Sequence, residues 1–375
     1  MTLSVTPVRG KEDLEDFLLV PYRIYDDDPY YVFPLLSEQR EFLDKQENPF
    51  YKHAETELWI ARQNGQVVGR IAACVDQYHN DTHEEKTGFF GFYETPNRPE
   101  VSRALLEVAE AWLRDKGMET MRGPCCFTTN HDFLGLLIEG EPSSPVVGMP
   151  YNPDYYCDQL EEYGLQKCKD LWAWRFTAQG TQIPAKIQAN IENLLRSDAF
   201  TVRPFNMKRF DEDASTVREL YIACWSKNWG FIPMDDAEFA FAAKNMKKMV
   251  DADFLLIAEA KGKPIGFSLS IPDFNQALKP CRGRLFPLGF LKFLLLKRSI
   301  KSVRTLLLGV LPEYRRRGVD AVMVYKTFQA GFARGMYTAE CSWVLEDNKA
   351  MNLILRGMGA KNYKTYRIYD LYLSS

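Results

Sequence analysis

A chain of 375 residues with 46% hydrophobic and 26% charged side chains has the balance of a soluble globular protein and the length for two domains. Its net charge of −3, from 47 basic and 50 acidic residues, excludes a uniformly basic surface, and no nucleic-acid partner is expected. The charge is unevenly spread. Residues 1–180 carry 17 basic and 31 acidic side chains, net −14, and the remainder carries 30 and 19, net +11, which places any anionic ligand with the second half. The eight cysteines form no C-x-x-C pair and no metal site is expected, so reduced thiols in a cytoplasm are the simplest reading. The first residues lack the basic-then-apolar pattern of a secretory signal. The most apolar stretch, Leu285 to Leu296, is interrupted by Pro287 and Lys292 and falls short of the ~20 residues of a spanning helix.

In chain order the first clear element is a hairpin. Trp59 to Gly69 holds two apolar runs joined at Asn64-Gly65 and runs on to Asp76. The same Ile-Ala pair, both glycines and the final Asp recur at an offset of 197, in Leu256 to Gly266 with its Lys261-Gly262 turn and Asp273. After the first hairpin come an aromatic strand, Gly88 to Tyr93, and a helix from Pro99 to Lys116, stopped by Gly117. After the second come Leu306 to Val310 and a helix from about Val319 to Arg334, stopped by Gly335. Each half then offers a strand, an Asn, a short helix and a glycine: Asn152 to Gly164 and Asn348 to Gly359. The repetition predicts an α/β (α+β) chain of two tandem mixed-sheet units with flanking helices, residues 1–180 and 199–375, joined through a connector near 176–198.

Chemistry concentrates where the second strand meets its helix. Val310-Leu311-Pro312-Glu313-Tyr314-Arg315-Arg316-Arg317-Gly318-Val319 passes through a turn and three arginines into a helix N-terminus, where unpaired N–H groups and a glycine suit phosphate oxygens. Val310-x-Pro312-Glu313-Tyr314-Arg315-x-x-Gly318 resembles the pyrophosphate-binding motif of the GNAT acyltransferase superfamily. Asn348, with Met351, Leu355, Met358 and Gly359, resembles that superfamily's following strand-to-helix segment. The resemblance covers residues 199–375 by motif and the first half by topology. It implies a splayed sheet that takes acetyl-CoA or another acyl-CoA, with pantetheine against Val310, pyrophosphate on Arg315, Arg316, Arg317, Gly318 and Val319, Asn348 alongside, and an amine acceptor opposite. Asp320 departs from the pattern, which has Gly or Ala there, and a carboxylate aimed into the cradle would repel a pyrophosphate. The tyrosine that many members use as general acid falls on Leu355. In the first half, Thr95-Pro96-Asn97-Arg98-Pro99-Glu100 stands at the cradle's place without a glycine, and that unit is expected not to hold the cofactor. Thr128 to His131 and Gly148 to Pro153 either shape the acceptor site or are turn residues and helix caps.

Acyl transfer to an amine needs a base for the nucleophile and a proton for the thiolate. Glu340, in the strand-like run Tyr337 to Val344, is the leading base candidate; otherwise it faces solvent or pairs with a basic neighbour. Tyr363 and Tyr366 either supply the proton or pack a sheet face. His79 and His83 have the spacing of helix-borne zinc ligands but lack a third ligand, and a solvated loop is expected there. Cys125-Cys126 is assigned to packing.

Between the second hairpin and the cradle lies an insertion, Phe274 to Lys301. From Phe274 to Pro312 there are eight basic residues and no acidic one, and residues 284–301 interleave Lys and Arg with Leu and Phe. Such a segment suits peripheral contact with anionic lipid at the inner face of a membrane, the mouth of an acyl tunnel, or an amphipathic helix closing the sheet. Together with the tandem architecture it makes the chain similar to bacterial GNAT-like proteins that acylate lipid amines, ceramide synthases among them. A small-metabolite acetyltransferase and a silent scaffold or sensor remain the alternatives.

Overall fold

The computed structural model describes residues 2–247 and 250–373. The strands of the described residues are β1 (Leu3–Pro7), β2 (Ala54–Gln63), β3 (Gln66–Asp76), β4 (Thr87–Glu94), β5 (Thr120–Gly123), β6 (Leu136–Gly140), β7 (Gln166–Thr177), β8 (Thr201–Pro204), β9 (Leu255–Ala260), β10 (Lys263–Pro272), β11 (Ser302–Val310), β12 (Thr338–Leu345) and β13 (Lys361–Tyr372). The chain forms two compact units. The first joins the residues up to Leu171 with Leu278–Leu294 and the C-terminal stretch from Lys364; the second joins Trp172–Ala277 with Leu295–Tyr363.

In the first unit β1, β2, β3 and β4 pair antiparallel in succession, β4 pairs parallel with β5, and β5 pairs antiparallel with β13, which also carries β6. The β2–β3 turn is tight because Asn64 and Gly65 both take left-handed conformations, φ 51° and 80°, which match the twist of a hairpin. The helices Gly10–Ile24 and Pro99–Asp115 pack on β2 and β3. Pro99–Asp115 buries Val101, Leu105, Leu106, Ala109 and Leu113 at helical spacing against Ile71, Ala73 and Phe90.

The second unit repeats the plan. β8, β9, β10 and β11 pair antiparallel, with the turn residues Lys261 and Gly262 at φ 51° and 74°, and β11 pairs parallel with β12. The helices Phe210–Trp225 and Val319–Ala333 pack on β10 and β11. One close approach fixes a residue type. A side chain at Gly309 would meet the Trp225 ring at 2.3 Å, so only glycine lets that helix lie against β11.

Candidate active site

Two irregularities of pairing make the site. Across β10 and β11 the register shifts between Leu269, opposite Leu307, and Ser270, opposite Thr305, so that Leu306 is an extra residue on β11. Such a bulge bends its strand. On the other side β11 follows β12 through four pairs only, from Ser302 opposite Thr338 to Thr305 opposite Cys341. Beyond them the two strands part, and the backbone of Leu306 to Val310 is left facing a gap. The first unit does the same: β4 and β5 pair from Thr87 opposite Thr120 to Phe89 opposite Arg122, and β4 is bulged between Gly91 and Glu94.

The loop at the end of β11 presents a run of unpaired backbone donors among the described residues. Leu311 closes the strand by donating its N–H to the Ile265 carbonyl at 2.9 Å, and Pro312–Tyr314 makes a single tight turn. Arg316 and Gly318 then take φ of 62° and 79° before the helix Val319–Ala333 begins. Among the described residues the N–H groups of Arg316, Arg317, Gly318 and Val319 donate to no protein acceptor. Four such donors beside a helix N-terminus form a concavity suited to phosphate oxygens. The residues present therefore fit a diphosphate through their main chain.

The side chains depart from the sequence reading. Arg315 is turned away from the loop: its Nε donates to the Val310 carbonyl at 3.1 Å and an Nη to the Cys224 carbonyl at 3.3 Å, so it braces the loop against the strand end. Arg317 lies over the Tyr314 ring, 5.1 Å from its centroid, and Arg316 is exposed. Asp320 folds its carboxylate back on the helix start, accepting the Ala321 N–H at 2.8 Å. Burial there raises its pKa above the usual carboxyl value, against the pull of its bonds to the Ala321 and Asp320 N–H groups. Val310 is the last buried residue of the strand. Asn348 caps the helix Lys349–Gly357 by accepting the Met351 N–H at 3.2 Å, which is a structural duty for its Oδ1. Leu355, at the place of the family's tyrosine, is fully buried.

Glu340 and Tyr363 come together. Glu340 is only 2% exposed, accepts the Ser342 hydroxyl on Oε1, and accepts the Tyr363 hydroxyl on Oε2. Ser342 is itself fixed by Arg304, whose Nε donates to its Oγ at 3.0 Å and whose Nη donates to its carbonyl at 3.1 Å. Arg304 stands directly opposite Glu340 in the β11–β12 pairing and is buried, although the sequence shows it only as one more charge of a basic run. The Arg175 guanidinium covers the Tyr363 ring, 4.4 Å from its centroid. Tyr366 belongs to the first unit, where it is buried opposite Leu137 of β6.

In the first unit the place of the cradle is filled by tyrosines. Tyr156 accepts the Thr95 N–H at 2.9 Å, Tyr155 donates to the Thr95 carbonyl at 2.9 Å, and Gln159 donates to the Pro96 carbonyl at 3.1 Å. Glu94, at the end of β4, accepts the hydroxyls of Tyr25 and Tyr156, each at 2.8 Å, beside Arg70, and its burial raises its pKa. A carboxylate ending an otherwise apolar aromatic strand is the signal that marks it in the sequence. His79 corrects the expectation of a solvated loop. Asp76 accepts the Tyr78 N–H and starts a short helix, Gln77–His83, that buries His79 completely and lowers its pKa to about 4. Among the described residues no group of His, Cys, Asp and Glu side chains is placed to hold a metal ion.

No protein-family model matches the chain. Protein YghO of Escherichia coli (strain K12) is 35% identical over 367 residues, 96% of this chain and 93% of that protein. A bacterial ceramide synthase of Caulobacter vibrioides (strain NA1000 / CB15N) is 34% identical over 375 residues, 98% of this chain and 97% of that protein. A solved tandem GNAT protein from the clavulanic acid biosynthesis pathway superposes with a TM-score of 0.62 at 13% identity, covering 100% of this chain and 99% of that one. The chain belongs to one family with YghO and this bacterial ceramide synthase, and its fold is that of the tandem GNAT proteins. This tandem GNAT fold is what the internal repeat and the motif resemblance together predict. The family membership rests on full-length relatives, whereas the cradle motif is confined to the second unit.

Proposed function

We propose that the chain is an acyl-CoA-dependent N-acyltransferase that passes a long-chain acyl group to a hydrophobic amine, with its chemistry in the second unit. The observation that carries the reading is the gap beside β11, bounded by the Arg316 to Val319 backbone at one end and by Glu340 and Tyr363 at the other. Arg304, opposite Glu340, lies six residues before Val310, about 20 Å at the rise of an extended strand. A pantetheine arm spans roughly 16 Å at ordinary bond lengths, so a diphosphate on the loop leaves the thioester close to where the strands meet.

Acyl-CoA supplies an activated carbonyl, and the exchange forms an N–C bond, breaks the C–S bond and moves one proton from the amine to the departing thiolate. Glu340 is the base. Its carboxylate is reached through the Tyr363 hydroxyl, which takes up the amine proton as it delivers its own to Oε2, and the same hydroxyl returns a proton to sulfur. Arg304 and Ser342 hold Glu340 in one orientation, and the main chain from Arg316 to Val319 carries the diphosphate. Asn348 supports the site through the helix it caps. The first unit, with its cradle filled by Tyr155 and Tyr156, takes no diphosphate there. The relative described as a bacterial ceramide synthase supports the choice of a lipid amine over a small metabolite.

Titration with acetyl-CoA and palmitoyl-CoA, followed by melting temperature and by thiol release with a long-chain amine, tests the reading. A shift and turnover with palmitoyl-CoA are expected. Turnover with acetyl-CoA and a water-soluble amine alone would replace the lipid acceptor by a small metabolite, and no shift with either thioester would leave a silent scaffold.

A further inference from the structure

The insertion of the second half is held at its base and bare at its tip. Its first part belongs to the first unit. There the Tyr22 hydroxyl donates to the Arg282 carbonyl at 2.6 Å, and the Leu36 N–H donates to the Gly283 carbonyl at 3.0 Å. Arg282 pairs with Asp26 at 2.6 Å and lies over the Phe33 ring, and Lys279 reaches the Ser144 hydroxyl at 2.7 Å. The loop also closes on itself, with the Cys281 thiol on the Gly289 carbonyl at 3.3 Å and a buried Gly289 against the Arg284 carbonyl. Past that anchor the chain exposes six large apolar side chains within ten residues: Phe286 at 84%, Leu295 at 78%, and Leu288, Phe290, Leu291 and Leu294 between them.

Single exposed apolar residues are ordinary, but a contiguous set on an ordered base marks a contact surface. The charge around it selects the partner. Lys292, Lys297, Arg298 and Lys301 are exposed in and beside the helix Gly289–Leu296, and no acidic residue occurs between Asp273 and Glu313. A second copy docking through the same patch would set these cations against one another. An anionic bilayer receives both the apolar tip and the cations.

We propose that residues 284–301 dock the chain on an anionic membrane surface, with Phe286, Leu288, Leu291 and Leu295 entering the acyl boundary and Lys292, Lys297, Arg298 and Lys301 meeting lipid phosphates. No helix among the described residues is long and apolar enough to cross a membrane, so the contact is peripheral. The inference goes beyond the acyl-transfer reading and stands without it, because docking is measured with neither donor nor acceptor present.

The test is co-sedimentation of the full chain with phosphatidylcholine vesicles, with and without phosphatidylglycerol, at low and high salt. Binding is expected only with phosphatidylglycerol and should weaken steeply with salt. The double variant Phe286→Asp/Leu295→Asp should bind at least about tenfold more weakly, and Lys292→Glu/Arg298→Glu should lose preference for the anionic lipid, each basic residue being worth about fivefold. All four altered positions are exposed side chains, so melting curves should match the parent protein. Turnover of a water-soluble amine should also be unchanged where it is detectable. Absence of vesicle binding, equal binding to both compositions, or undiminished binding by the Phe286→Asp/Leu295→Asp variant overturns the proposal. So does a dimer that dissolves in that variant without vesicle binding, which would assign the patch to a second copy.

Discussion

Replacing Asp320 by asparagine probes the anion cradle at the residue that opposes it. The carboxylate accepts the Ala321 N–H at 2.8 Å, one of the donors a diphosphate oxygen would seek. Asp320 follows Gly318 by two residues, which puts its charge about 7 Å from an anion seated on the glycine backbone. At that distance a unit charge repels another by roughly 1–2.5 kcal/mol for effective dielectric constants of about 40 and 20. Asparagine keeps a carbonyl oxygen for Ala321 and removes the charge. Asp320→Asn should therefore bind CoA about five- to fiftyfold more tightly by calorimetric titration, with a smaller gain at high salt. Stability supplies a second readout. The folded protein holds the Asp320 proton more tightly than the unfolded chain, because burial raises the pKa. That contribution is complete below the unfolded pKa and is lost as pH rises through the folded one, so the ionised carboxylate is a cost at neutral pH. The variant should melt higher than the parent at pH 7 and converge with it in acid. Unchanged or weaker CoA affinity would refute a diphosphate at this loop, and a lower melting temperature at pH 7 would show that the carboxylate's bonds to N–H outweigh its burial.

Glu340→Gln should cut single-turnover thiol release about 10²–10⁴-fold while leaving palmitoyl-CoA binding intact, and retained turnover would remove Glu340 as base. Gly318→Glu should abolish the thermal shift with CoA. Its φ of 79° and the Leu194 methyl 2.6 Å from the new Cβ predict a loss of about 1–2 kcal/mol in denaturant unfolding, and unchanged CoA affinity would move the ligand elsewhere. Burial lowers the His79 pKa to about 4, so the unfolded chain takes up its proton first as pH falls. Stability present above about pH 6.5 should fall by up to roughly 3 kcal/mol through pH 4 in urea titrations. The His79→Phe variant should lack that component; an identical pH slope would contradict it.

The tandem architecture is legible because both hairpin turns demand two successive left-handed residues, and Asn64-Gly65 and Lys261-Gly262 write that demand into the chain at the same offset as the apolar runs around them. The parting of β11 from β12 is not written anywhere locally. It depends on where pairing stops, after Thr305 and Cys341, which is a relation between residues far apart in sequence. Arg304 shows the same limit. In the linear chain it ends a basic run that reads as surface, and only the strand pairing brings it to the Ser342 hydroxyl and carbonyl that make its burial tolerable. His79 was obscured for a different reason, since seven residues are too few for helical periodicity to register, and the Asp76 cap that starts the turn resembles any loop residue.

The cradle separates what a motif encodes from what it suggests. Three consecutive arginines invite an electrostatic reading, yet Arg315 is occupied by the Val310 and Cys224 carbonyls and Arg317 by the Tyr314 ring. What remains directed at the loop is main chain, shaped by a left-handed Arg316 and a left-handed Gly318. On the proposed reading the loop holds its diphosphate through backbone conformation more than through its arginine count. Gly318 is then the position where substitution should cost most, and Arg317 one where loss of charge should cost little. On the same grounds the corresponding turn of the first unit offers fewer backbone donors: Pro96 and Pro99 remove N–H groups there, and Tyr155 and Tyr156 occupy the backbone groups of Thr95.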